Sequence, residues 1–371
     1  MALPALVLLA LAAFAAALVG FWEAGRAAQL HVFFAVGAMP LIFGAMAHFI
    51  PVLTRTRKPA ALLAAVPFIG LAAGSLIVVA LARGGMPWAQ HAAALLGVVA
   101  AGTLLVWSRR RRASMLGRAH PGLGWYDVAL ASLVLALVAV LAMPLWPEQT
   151  FALRRAHLHL NTLGFIGLTA IGTLAVLMPT VVGRADATAG TRLQRDLPWA
   201  AGGTLLVALG AAWHAPTALV GAALWAVAPV RLGASWLQRY RPEIVARHGA
   251  APLLAGALAG LVVSLVYGAA TLATPEVVPT AAFVTGFLLP LVTGAASQLL
   301  PVWLRPGVQG GWHADLRDRL GRNAGVRAIL FASAGISTGA GAGVGWALAT
   351  AALLWFLLQA VAALIQFRGR A

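Results

Sequence analysis

Residues 31–55 read HVFFAVGAMPLIFGAMAHFIPVLTR, residues 159–184 read HLNTLGFIGLTAIGTLAVLMPTVVGR, and residues 281–305 read AAFVTGFLLPLVTGAASQLLPVWLR. Aligned on Pro51, Pro179 and Pro301, all carry a glycine seven residues earlier, at Gly44, Gly172 and Gly294. A basic residue follows each proline, at Arg55, Arg184 and Arg305, and Pro40 and Pro290 also coincide. Each stretch is apolar over the roughly 20 residues that a helix needs to cross the hydrocarbon core. The prolines lie 128 and 122 residues apart. That spacing is about four spans, so the chain reads as three pseudo-equivalent four-helix units in one orientation. Their approximate limits are 1–120, 121–245 and 246–371. Glycine lets helices approach closely, and proline near the inner end is expected to stop or kink each helix.

Composition agrees with a lipid solvent. The 371 residues are 61% hydrophobic and 9% charged, where a soluble domain carries roughly a quarter charged residues. The expected fold class is all-α, a polytopic membrane protein of about twelve spans forming a single integral domain. The spans are predicted near 3–20, 30–51, 61–82, 89–107, 126–146, 158–181, 197–213, 216–234, 250–272, 279–301, 325–341 and 344–366. The glycine-rich stretch 335–345 between the last two reads as a tight turn or a kinked helix. The first span lacks the basic start of a signal peptide.

With both termini cytoplasmic, all of the 26 Lys and Arg residues except Arg26, Arg83, Arg154 and Arg155 fall in inner loops. This follows the positive-inside rule. It also explains the net charge of +17 as topology rather than nucleic-acid binding. Trp22, Trp88, Trp107, Trp125, Trp146, Trp199, Trp213 and Trp303 fall at expected span ends, where an aromatic belt sits.

The chain has no cysteine, which excludes disulfides, iron–sulfur clusters and c-type haem attachment. Any metal or cofactor therefore rests on residues such as histidine, which binds haem iron and copper without thiolates. His31 and His159 lie 20 residues before Pro51 and Pro179, in one register, while the third copy has Ala281. An ionisable residue at the start of an apolar span is a functional candidate. His157 is two residues from His159, roughly 200° round a helix, so the two share a site only if the helix begins between them. His91 and His214 lie near outer span ends and are further candidate ligands. His48 is about 25 Å along the helix from His31, and His120, His248 and His313 sit among arginines as solvated residues. No Asp, Glu or Lys is placed mid-span, which counts against a proton pump.

Residues 159–179 resemble the sixth helix of haem-copper oxidases that use c-type cytochrome subunits: His-Asn, Gly-Phe, Leu-Thr-Ala, Gly and a closing Pro. Residues 30–56 resemble the second helix of the same subunit I. The spacing is also similar to that of the NnrS family, haem- and copper-associated membrane proteins linked to nitric oxide. The resemblance implies a bacterial-type inner membrane location and a low-spin haem ligand at His31. It implies an active-site copper ligand at His159. Residues 197–213 and 279–301 lack the histidines that the oxidases carry there, so oxygen reduction is not expected. The expected function is haem and/or copper binding near the periplasmic face, serving nitric oxide response, metal or haem handling, or respiratory-complex assembly. Respiratory-complex subunits or a second copy of the chain are the expected partners besides lipid. The competing expectations are a cofactor-free transporter or channel for a small solute, and an accessory subunit of a respiratory complex.

Overall fold

The computed structural model describes residues 2–368 apart from 21–23, 57–59, 116, 272 and 275. Trp22, Glu23, Arg57, Lys58 and Arg370 lie outside the described residues. Those described form helices and connecting turns, with no strand among them. We number the helices α1 (Ala2–Val19), α2 (Arg26–Thr54), α3 (Ala61–Ala82), α4 (Pro87–Ser114), α5 (Gly122–Ala142), α6 (Pro147–Val182) and α7 (Ala189–Trp213). They continue as α8 (Ala215–Arg239), α9 (Ala251–Ala270), α10 (Pro279–Leu304), α11 (Gly311–Gly321), α12 (Ala324–Gly339) and α13 (Val344–Arg368).

Among the described residues, 9 helices are long and apolar enough to cross a membrane, and the chain is a multi-pass membrane protein. Large apolar side chains such as Phe68, Val99, Leu135, Leu209, Leu237 and Ile329 are exposed, as they are where lipid replaces water. The remaining expected spans coincide with shorter or more polar helices. Leu3–Val19 is 17 residues at most, α12 is 16, and α7 carries Arg192, Arg195 and Asp196 in its first turns. Within the stretch 335–345 the chain turns tightly between two helices at residues 340–343, with Gly341 at φ 82°.

The three quoted stretches adopt matching local structure. A π-helical segment opens each: Val32–Ala38 in α2, Leu160–Gly167 in α6 and Phe283–Leu288 in α10. Pro40 and Pro290 follow two of these segments directly, and a proline ring crowds the carbonyl four residues back. The α6 copy has no proline there, so proline is not the sole cause of the wide turn. The motif glycines also match. A Cβ on Gly44 would meet Leu6 of α1, one on Gly172 would meet Trp125 of α5, and one on Gly294 would meet Leu253 of α9. Each glycine thus seats its helix against the first helix of its own stretch of chain.

Two expectations need correction. The prolines do not stop their helices: α2, α6 and α10 each run on through Pro51, Pro179 and Pro301 to Thr54, Val182 and Leu304. In α2 and α6 the end is a left-handed residue, Arg55 or Gly183. It lets the Thr56 and Arg184 amides donate to the Pro51 and Pro179 carbonyls at 3.0 and 3.1 Å. Nor is Trp125 part of an interfacial belt. It is fully buried against Gly172, and its indole N–H donates to the Leu193 carbonyl at 3.0 Å.

Buried carboxylates occur only near arginine-rich helix ends among the described residues. Asp127 accepts from Ser108 and faces Arg112, and Asp196 is bracketed by Arg195 and Arg231, both at 2.9 Å. Asp186, between α6 and α7, accepts from the Thr188 amide and hydroxyl, from Arg192, and from Arg239 of α8 at 3.1 Å. Burial alone would raise its pKa, but the Thr188 and Arg192 hydrogen bonds and the Arg192 charge outweigh it and hold the carboxyl below its usual range. A lowered folded-state pKa contributes stability that is present above the ordinary aspartate value of about 3.9 and is lost as pH falls through the folded value. Asp186→Asn is therefore expected to cost about 1–3 kcal/mol at pH 7. Denaturation in detergent should show the gap between variant and native protein closing below about pH 3.9.

Candidate functional site

The opening turns of α2 and α6 meet across a cavity. Its volume is about 480 Å³, and its walls come from α2, α3, α4, α5 and α6. Met39, Phe34, Leu137, Met143, Phe151 and Phe165 make it mainly apolar, while His31, His157, Gln90, Asn161, Arg154 and Arg155 supply its polar groups.

His31 ends the α-helical opening of α2, immediately before the π segment. Its Nδ1 lies 2.7 Å from the Ala27 carbonyl. His157, on α6, has Nδ1 2.9 Å from the Ala136 carbonyl of α5. A carbonyl only accepts, so both rings carry their proton on Nδ1 and present an unprotonated Nε2, with the Asn161 amide nitrogen 3.4 Å from that of His157. The two rings are 16° from parallel, with centroids 6.3 Å apart. The amide of Asn161 donates to the His157 backbone carbonyl at 2.8 Å, bracing that turn.

Arg154 and Arg155 lie on the same helix and also line the cavity. Arg155 packs its guanidinium 4.8 Å from the Phe151 ring and reaches the Ala211 carbonyl of α7 at 3.3 Å. Both are among the four basic residues that the expected orientation leaves on the outer side, and that departure was the sequence signal that could have singled them out.

The structure separates the other candidate histidines from this cavity. His159 donates from Nδ1 to the Arg155 carbonyl at 2.8 Å and does not line it. α6 begins at Pro147, so both His157 and His159 lie inside the helix and face different ways. His214 sits in the α7–α8 turn, 2.7 Å from the Thr217 hydroxyl. His91 is next to the cavity residue Gln90 but does not itself line it. Among the described residues no cluster of three His, Cys, Asp or Glu forms a metal site. The pairing of His31 with His157 comes from α5, which packs against α6 and against α2 and α4, and register along one helix does not report such contacts.

Comparison with family models, curated proteins and solved structures finds no match to this chain.

Proposed function

We propose that the chain is a haem-binding membrane protein, with His31 and His157 as the residues that hold the iron. The carrying observation is the pair of near-parallel imidazoles 6.3 Å apart with both Nδ1 atoms committed to carbonyls. The residues present fit the group. The walls are apolar and aromatic, as a porphyrin face requires, and the cavity is of ligand size. Arg154 and Arg155 at the same cavity suit the carboxylates that such a cofactor carries. A bis-histidine haem supplies electron transfer or redox sensing. The chain's own residues would bind it, orient it and exclude water. Copper, the other expected metal, is less well served, because no third His, Cys or carboxylate joins the pair among the described residues.

The scaffold in this reading is twelve spans as three four-helix units, with both termini in the cytoplasm of a bacterial-type cell and the cavity near the periplasmic face. The matching π segments and glycine contacts support the three units, and the positions of the arginines support the orientation. The third unit has Ala281 in the histidine register and offers no comparable ligand. One haem and no active-site copper is the capacity this set supports, which suits electron relay, nitric oxide response or haem handling rather than oxygen reduction.

The test is an absorption spectrum of protein purified from haem-replete cells. A Soret band with the split visible bands of a low-spin haem, at about one haem per chain, supports the reading. Colourless protein that stays colourless on haem addition overturns it and leaves a cofactor-free carrier of apolar solutes as the better account. Arg154→Gln together with Arg155→Gln is expected to keep the spectrum but speed haem loss about tenfold or more, since charge-assisted pairs are roughly twice as strong as neutral ones. Transfer of haem to apomyoglobin measures that rate.

A further inference from the structure

We propose that a second cavity, between α11, α12 and α13, binds the phosphate group of an anionic ligand. It lies at the opposite, arginine-rich end of the bundle and rests on none of the haem argument. Its volume is about 360 Å³, and its polar lining is Arg319, Arg322, Asn323, Gln359 and Gln366, with Trp355 beside them.

The wall behind this lining is charged as well. Arg327 is fully buried. Its Nη1 donates to the Arg322 carbonyl at 2.8 Å and to Gln359 Oε1 at 2.9 Å, and its Nη2 donates to the Leu320 carbonyl at 3.0 Å. Its Nε has no partner among the described residues. Gln359 donates in turn to the Arg319 and Leu320 carbonyls. Arg327 and Gln359 thus clamp the α11–α12 turn from both sides and hold Arg319 and Arg322 on one rim.

No carboxylate among the described residues lies within ion-pair distance of Arg319, Arg322 or Arg327. Asp127, Asp186, Asp196 and Glu243 are already paired with other arginines. Asp315 and Asp318 of α11 are exposed and do not line the cavity. Arg319 and Arg322 line the cavity without a carboxylate partner, the buried Arg327 behind them adds to the positive potential, and a bound anion would offset it. Guanidinium forks match phosphate oxygens in geometry. Leu358 of the lining and Val361 and Ile365 of the same helix are exposed apolar residues, so an anionic phospholipid could place its headgroup here and its chains along α13. Basic pockets between spans on the cytoplasmic side take such headgroups; a soluble phosphate compound presents the same chemistry.

Native mass spectrometry of the full-length protein in detergent tests this, with phosphatidylglycerol, phosphatidylcholine and inorganic phosphate as probes. Phosphatidylglycerol is expected to bind about tenfold more tightly than phosphatidylcholine, and Arg319→Gln with Arg322→Gln to remove most of that preference. Gln366→Glu, which introduces a negative charge at an exposed position of the cavity lining, is expected to weaken it as well. Arg110→Gln with Arg111→Gln, near the C-terminal end of α4, is expected to leave it unchanged. Phosphatidylglycerol that millimolar phosphate does not displace identifies the lipid as the source; displacement by phosphate identifies a soluble anion. Equal binding of the two lipids with no phosphate binding, a preference undiminished in the Arg319/Arg322 variant, or an equal loss in the Arg110/Arg111 variant overturns the proposal.

Discussion

On the proposed haem-binding reading, His31→Ala and His157→Ala are each expected to leave the purified protein with weakly bound haem or none, while His159→Ala leaves its spectrum intact. Losing a group that merely orients a metal ligand costs about 10–100-fold in affinity, so losing a ligand is expected to cost more than that. The discriminating power lies in the third variant. His31 and His159 share a register along their helices, and each donates from Nδ1 to the carbonyl four residues back. They differ in what they face, because only His31 and His157 line the cavity and lie ring to ring. A spectrum lost in His159→Ala and kept in His157→Ala would favour the register-matched pair and sink the cavity pair. Circular dichroism separates loss of haem from loss of fold.

The second large effect concerns packing. Gly260→Ala is expected to cost about 3 kcal/mol or more, the upper part of the overpacking range, and to abolish a monodisperse peak in gel filtration. A Cβ on Gly260 of α9 would lie 1.9 Å from the Gly286 carbonyl oxygen and 2.3 Å from its carbon, both backbone atoms of the α10 π segment. No side-chain rotation relieves that contact, so a helix must move. Gly268 is on the same helix with nothing within 4 Å. Gly268→Ala is expected to raise stability by about 0.4–1 kcal/mol through helix propensity and a less flexible unfolded chain. Thermal denaturation of the two variants in one detergent compares them directly. Equal and mild effects would mean that α9 and α10 do not approach as closely as the structure has them.

Much of the helix pattern was legible because it rests on a one-dimensional property. Apolar runs long enough to cross a bilayer are written in consecutive residues, and helices cover the predicted runs, although α4 and α7 extend well beyond theirs and α11 lies where a loop was expected. α6 is the instructive exception. Its apolar run starts near residue 158, but the helix starts at Pro147 and carries Arg154, Arg155 and His157 into the cavity wall. Hydropathy marks where lipid begins, whereas backbone hydrogen bonding continues a helix through polar residues beyond that point.

By itself the sequence determined that this is a helical membrane protein, that three of its helices share one motif, and that no cysteine thiolate can hold a metal in it. Those conclusions depend on composition, on spacing along one helix and on the absence of cysteine. Only the tertiary structure decided which histidines face each other. The side chains of His31 and His157 are 126 positions apart in sequence, and their 6.3 Å separation follows from how α2, α5 and α6 cross. The same holds for the second cavity, where Arg327 and Gln359 join α12 to α13 around the α11–α12 turn. Contacts between helices are set by glycine-permitted approach and side-chain packing, and neither leaves a periodic signal along the chain.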